Sequence, residues 1–299
     1  MAGLALAATA LLAGCASENH HAVQAAAPAR EAIQAPPRLE ADAMAFESFM
    51  RKGRAIDAGF SSPADVRQAL QAGAAHQPQQ LEAGMIAYAA LAALQEPAFV
   101  EGVRRQGPAL AGRLAADPAL ALELPGGRAA AARAGAALAR EGASLAGNGE
   151  RVKRAAYRVQ HQAWSKTAVA GPARRLAEVK RISAAGYRPE GGDAAQLRAA
   201  LAEGGRRGGA ASPVVARGVA LAALSVMGET RRGGALMRDP AAGSCLRIAK
   251  LNLYQCLASA RPQYEDIYCL GQHALIDPGQ CVADAAVERP RVTRASYRR

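Results

Sequence analysis

The sequence predicts an all-helical protein, a multihelical bundle or irregular helical array ending in a disulfide-linked helical hairpin. Three observations carry this. Alanine makes up roughly a quarter of the 299 residues and aromatic residues only 4%, so helix formers dominate and the β-branched and aromatic runs of a sheet are scarce. Apolar residues recur at helical spacing behind recognisable helix starts. Four of the five cysteines fall in one stretch, from Cys245 to Cys281. A chain of this length can bury a sizeable core as one domain or two closely packed ones.

The first element is residues 1–14, MAGLALAATALLAG, an apolar run without a charged side chain. A spanning helix needs about 20 apolar residues, so the run reads as the core of an export signal. The stretch Leu12-Ala13-Gly14-Cys15 resembles the lipobox of bacterial lipoproteins, in which a small residue precedes the cysteine that becomes the first residue of the mature protein. The resemblance implies a diacylglycerol thioether on Cys15 and an acylated amino group. Acyl burial contributes about 0.8 kcal/mol per methylene, and two or more chains anchor a protein stably on a membrane. Ala16 rather than Asp follows the cysteine, which in that class implies the outer membrane. No Lys or Arg precedes the apolar run; this departs from the class and points to a natural start upstream of Met1. The plainer alternative is an N-terminal helix with a buried cysteine.

Residues 15–38 read as a flexible tether. They are low in bulky apolar residues and carry Pro and Gln, and some 22 residues of such chain span about 25 Å as a coil and roughly 70 Å when extended. His20 and His21 lie here and read as solvated side chains rather than metal ligands.

A helical domain is expected over 39–240. In FSSPADVRQAL, Ser62 suits an N-cap, Pro63 the first helical position and Asp65 the first turn. Ser212-Pro213 and Asp117-Pro118 repeat the signal. Residues 81–95 and 214–228 are apolar nearly all round and read as buried helices. Two or three helices are expected between 126 and 186, with Val152, Ala156, Val159 and Ala163 on one face and a basic opposite face. The glycine clusters at 190–193 and 204–209 read as connectors, with a soft boundary near 210–240. The last residues, 288–299, read as a basic tail.

The hairpin occupies 241–287. An even cysteine number in an exported chain reads as two disulfides. Cys245 and Cys256 on one helix lie about 16 Å apart along its axis, beyond the roughly 7 Å that a disulfide can bridge. Arg261-Pro262 breaks the chain, YEDIYCLGQHAL reads as a second helix, and Asp277-Pro278-Gly279 reads as a turn. Antiparallel packing then pairs Cys256 with Cys269 and Cys245 with Cys281. The arrangement resembles the twin-cysteine helical hairpin class, though its spacings and the turn before Cys281 differ and no activity carries over. A zinc site of these cysteines with His273 is disfavoured because no C-x2-C pair occurs. His273 reads instead as a packed or half-exposed helix residue.

The net charge of +12 comes mostly from arginine. Export removes the nucleic-acid partner such a balance would otherwise suggest, and points instead to envelope anions such as lipopolysaccharide phosphates and phospholipid headgroups. The plainer reading is a solvated arginine-rich surface.

Candidate chemistry is sparse. Glu47-Ser48, in AFESFMRKG, resembles the catalytic Glu of lytic transglycosylases, which cleave peptidoglycan, but the resemblance covers two residues and the glycine-rich segment expected after them is missing. The plainer reading of Glu47 is an exposed residue. GASLA at 142–146 lacks the strand that a serine-nucleophile elbow needs, and GNGE at 147–150 lacks the third glycine of a dinucleotide loop. Glu265 and Asp266 read as charging the first turn of a helix rather than binding a cation. No catalytic, cofactor or metal site is assigned. The expectation is a non-catalytic envelope lipoprotein, a scaffold or adaptor on the periplasmic face of the outer membrane. A peptidoglycan-cleaving enzyme using Glu47 and a basic module for lipopolysaccharide or anionic lipid are the alternatives.

Overall fold

Prolines mark where most helices begin. A ring at the first helical position removes an N–H that would have no partner there and pre-sets φ; it does so at residues 37, 63, 78, 97, 172, 213 and 240. The computed structural model describes residues 36–206 and 210–288. Cys15, the apolar run, His20, His21, nearly all of the tether, part of the second glycine cluster and nearly all of the basic tail lie outside the described residues.

In chain order the helices are α1 (Pro37–Arg54), α2 (Pro63–Gly73), α3 (Pro78–Ala93), α4 (Pro97–Arg104), α5 (Ala109–Ala116), α6 (Gly127–Val159), the single-turn α7 (Ala163–Lys166), α8 (Pro172–Ala185), α9 (Asp193–Ala202), α10 (Pro213–Val226), α11 (Pro240–Ser259), α12 (Gln263–Cys269) and α13 (Asp277–Ala285). Two 3-10 segments, Pro118–Glu123 and Thr230–Met237, and a π-helical segment, Leu270–Ile276, complete the set. No strand occurs among the described residues; the one β-bridge joins Ala168 to Pro262.

Several starts are capped as their sequences require. Ser62 Oγ accepts from Asp65 N at 3.3 Å while Asp65 Oδ2 accepts from Ser62 N at 2.9 Å, a reciprocal capping box. Ser212 Oγ accepts from Val215 N, and Asp239 Oδ1 from Ala242 N.

The centre is α3, buried on every face from Gly84 to Ala93. A helix apolar all round has to be covered all round, and α1, α6, α10 and α11 cover it. Phe46 of α1 meets Tyr88 with ring centroids 5.0 Å apart. Gly218 brings α10 close: a Cβ there would lie 2.7 Å from Ala89 Cβ.

The C-terminal hairpin forms as predicted. Cys245 and Cys281 have Cα atoms 5.8 Å apart, Cys256 and Cys269 5.6 Å apart, and both pairs stand at disulfide distance in the nested order. Its second arm is longer than expected. Asp277-Pro278-Gly279 is no turn: α12, the π segment and α13 follow one another without a break from Gln263 to Ala285. Pro278 lacks an N–H, and its ring presses on the carbonyl four residues back; the wider π turn just before it takes up that misfit.

Gly279 has a different task. A Cβ on Gly279 would meet Ala146 N at 2.7 Å, and one on Gly142 would meet Ala283 N at 2.5 Å. Further along, Gly149 would meet Ile276 N at 2.7 Å and Gly271 would meet Lys153 N at 2.5 Å. Bare glycines thus bring the backbones of α6 and the hairpin arm into contact. On α6 the glycines are seven residues apart, two helical turns; on the arm Gly271 and Gly279 are eight apart, and the π segment between them absorbs the extra residue. GASLA and GNGE, lying inside α6, supply two of these glycines, Gly142 and Gly149.

α6 ends at Val159, one turn sooner than the apolar spacing implied; Ala163 begins α7 and is exposed.

Candidate functional site

Glu47 is the first residue to place. It is buried, 1% exposed, correcting the expectation of an exposed side chain. Its carboxylate accepts from Arg51 Nε at 3.0 and 3.2 Å, and Arg51 Nη2 goes on to Asp193 Oδ1 at 2.7 Å. Asp193 also accepts from the Tyr187 hydroxyl and from Glu190 N. Burial pushes the Glu47 carboxyl pKa up, against the opposing pull of Arg51. The chain of pairs fastens α1 to the start of α9, and Glu47 lines neither of the two clefts described below.

The cysteines and His273 are likewise engaged. All four described cysteines are in the two pairs, and His273 Nδ1 lies 2.7 Å from Asp277 Oδ2, part-buried on the π segment. Among the described residues no group of three or more His, Cys, Asp or Glu could hold a metal ion.

A buried polar cluster has no counterpart in the sequence reading. Lys250 of α11 is 4% exposed. Its Nζ donates to Ala74 O at 3.0 Å and Ser183 Oγ at 3.1 Å and lies 3.3 Å from His76 Nδ1. Ser183 Oγ donates to the same Ala74 O at 2.8 Å, and the His76 ring packs at a tilt against Phe49, ring centroids 4.4 Å apart. Burial brings the Lys250 pKa down to about 7, and burial together with the Lys250 charge holds His76 well below the usual histidine value. A lysine beside a serine can activate a nucleophile in an open site. Here Ser183 is buried, spends its proton on a carbonyl and lines neither cleft. The cluster ties α8 and α11 to the chain leaving α2.

The larger cleft lies where α2, α8 and the start of α12 meet, with a volume of about 510 Å³. Its apolar wall is Val66 and Leu70 of α2, Val169 from the segment before α8, and Val179 and Ile182 of α8. Positions 66 and 70 share a face of one helix, and 175, 178, 179 and 182 share a face of the other, so two amphipathic stripes oppose each other. The segment at 167–169 is pinned to the hairpin by Val169 N to Arg261 O at 2.7 Å and Gln263 N to Thr167 O at 3.2 Å.

Charged side chains also line this cleft. Arg175 Nη1 donates to Asp266 Oδ1 at 2.6 Å and Nη2 to Leu257 O, while its Nε is buried without a partner. Glu265 and Asp266 stand in the first turn of α12, as expected, and Asp266, 1% exposed, also holds Arg175. Burial pushes its carboxyl pKa up to about 6, with Arg175 opposing. Glu178 also lines the cleft and pairs with Arg181 on its own helix, which lowers its carboxyl pKa. Arg67 and Arg174 are exposed and form no ion pair among the described residues.

The sequence signal for this site was α8 itself. Cations belong at helix C-termini, yet Arg174 and Arg175 sit in its first turn with no acidic residue beside them, behind a glycine N-cap that offers no side-chain acceptor. A second cleft, about 400 Å³, lies between the start of α6 and residues 286–288, with alanines beside Glu123, Arg128 and Glu288 in its lining. No single described helix is long and apolar enough to cross a membrane. Compared with family models, curated proteins and solved structures, the chain matches none.

Proposed function

We propose that the protein is a non-catalytic cell-envelope lipoprotein, anchored through Cys15 on the periplasmic face of the outer membrane, whose helical body binds another envelope component as a scaffold or adaptor. The observation that carries this reading is the division of labour among the cysteines. Four can be consumed in two nested disulfides, bonds that an oxidising compartment forms and maintains. The fifth stands at the end of the lipobox-like Leu12-Ala13-Gly14-Cys15, and a mature protein beginning there carries its thiol as a thioether. The tether of 15–38 then separates the body from the headgroups.

Of the alternatives, cleavage of peptidoglycan through Glu47 loses its support, since a general acid has to reach its substrate and this carboxylate is buried against Arg51. The basic-module alternative gains support from the arginines of the α2–α8 cleft. The direct experiment is metabolic labelling with palmitate in the native bacterium, with mass spectrometry of the extracted protein. The expected result is a triacylated or diacylated Cys15 at the N-terminus, loss of label in Cys15→Ala, and no free thiol before reduction. An unmodified N-terminus together with four free thiols would overturn the proposal.

A further inference from the structure

We propose that the outward face of α11 lies on an anionic phospholipid surface and sets how the body stands on the membrane. The inference rests on the lipoprotein reading above and deepens it by naming the surface that the body itself engages.

Three large hydrophobic side chains stand more than half exposed among the described residues: Tyr157 of α6, and Ile248 and Leu251 of α11. The last two, 55% and 53% exposed, are three positions apart and so are neighbours on one helix face. Half-buried Tyr254 continues the stripe three positions on, and exposed Arg247 adjoins it, four positions before Leu251. Lys180 of α8 brings a second cation, its Nζ 5.5 Å from the Tyr254 ring centroid. Neither Arg247 nor Lys180 forms an ion pair among the described residues. The 20 residues of α11 include no Asp or Glu, and the acidic residue of α8, Glu178, is paired with Arg181. The face therefore joins apolar side chains to two cations, with no free carboxylate from either helix.

That combination decides among occupants. A second copy would gather the cations of both chains over one seam, on molecules that each carry a net charge of +12. A protein partner would need a hollow for Ile248 and Leu251, which line neither cleft and stand out from the surface. A bilayer interface offers phosphates to the cations and yields around a protruding aliphatic side chain, as it does for basic helices with an apolar face. The helix is braced for such contact: Leu246, Leu253 and Leu257 bury its opposite side, and both disulfides start from it. Two aliphatic side chains and two cations hold a bilayer weakly by themselves. Joined to an anchored Cys15 by a short chain, they meet it at high effective concentration. A tether long enough to lift the body also lets it turn this face to the headgroups.

The test uses the full chain with Leu251→Trp in a Trp164→Phe background, so that one indole reports the face. The chain is reconstituted into phosphatidylcholine vesicles with or without phosphatidylglycerol, their acyl chains brominated or plain, and recovered by flotation. The expected result is at least twofold quenching of the indole by bromine when phosphatidylglycerol is present, and clearly less without it. Arg247→Glu with Lys180→Glu should remove the quenching. Both side chains are exposed and unpaired, so this variant keeps the fold, and unchanged thermal unfolding verifies that. Equal quenching in the two lipids, quenching indifferent to the charge reversal, or a floated chain with an unquenched indole would each overturn the inference. So would a dimer that Leu251→Glu splits, which assigns the face to a second copy. Acylation of Cys15 is read separately by mass spectrometry. A floated, unquenched chain acylated at Cys15 loses the face and keeps the anchor; a quenched chain without acyl groups loses the anchor and keeps the face; a chain that floats with neither lipid loses both.

Discussion

The hairpin arm from Gln263 to Ala285 has two unlike neighbours. Along 271–286 it meets α6 through glycine and alanine, and backbone touches backbone. At 263–266 it faces α2 and α8 across valine, leucine, isoleucine and arginine, and a cleft of about 510 Å³ is left open. Small side chains close a helix seam, because the helices can approach until main chains are in contact. Long branched or charged side chains hold helices apart and leave space whose lining then decides what enters it. One rod thus belongs both to a close backbone seam and to an open cleft.

The seam is where substitution should do the most harm. Gly142→Leu combined with Gly149→Leu puts side chains where even a Cβ would stand 2.5 to 2.7 Å from backbone nitrogen atoms of the arm. Neither helix can yield by moving a side chain alone, so the double variant should lose more than about 5 kcal/mol, or fail to unfold cooperatively, beyond ordinary overpacking. Denaturant unfolding followed by circular dichroism measures this.

Next come the disulfides that clasp the same arm. With the cysteines of the outer bridge 36 positions apart in sequence and those of the inner 13, chain-entropy arithmetic gives about 4 kcal/mol for the outer bridge and about 3 for the inner. Cys245→Ala with Cys281→Ala should therefore lower the melting temperature more than the corresponding inner pair. The reverse order would place the weak point of the hairpin at its turn rather than its open end.

A smaller effect is expected at Lys250, on the first arm of the hairpin. Its folded pKa of about 7 lies below the ordinary lysine value of 10.5. Between those values the unfolded chain binds a proton that the folded chain has released, so stability rises with pH across that window, by at most about 1.4 kcal/mol per unit. Wild-type melting temperatures should climb from pH 7 to pH 9, and those of Lys250→Met should stay flatter. Asp266 acts in the opposite sense in another window: its carboxyl pKa is raised from 3.8 to about 6, so the stability it contributes below pH 4 is lost as pH rises through 6. Smallest of all, Arg67→Gln with Arg174→Gln should change stability by no more than about 0.5 kcal/mol, since neither side chain is paired.

Much of this architecture was legible in the residues. Ser62, Asp65 and Ser212 announced helix starts through chemistry confined to one turn, and the cysteine pairing followed from the rise of a helix and one break at Arg261-Pro262. What depends on a distant partner was not legible. Pro278 and Gly279 are breakers by local propensity, but inside the arm the first follows a π turn and the second admits α6. Glu47 looked like a surface carboxylate and Asp266 like a first-turn charge alone, until Arg51 and Arg175 stood beside them. Lys250 carries no local mark of burial at all. The cleft did leave one trace, the arginines at the wrong end of α8, which conflicts with a local rule without any visible compensation in sequence.

Hydrogen exchange on the full chain tests the contrast between seam and opening most directly. The account predicts slow exchange along α6 and 271–285, where bare glycines bring the backbones together, and faster exchange in the segment before α8 and the first turns of α8 beside the cleft. Exchange in the seam as fast as beside the cleft would contradict it.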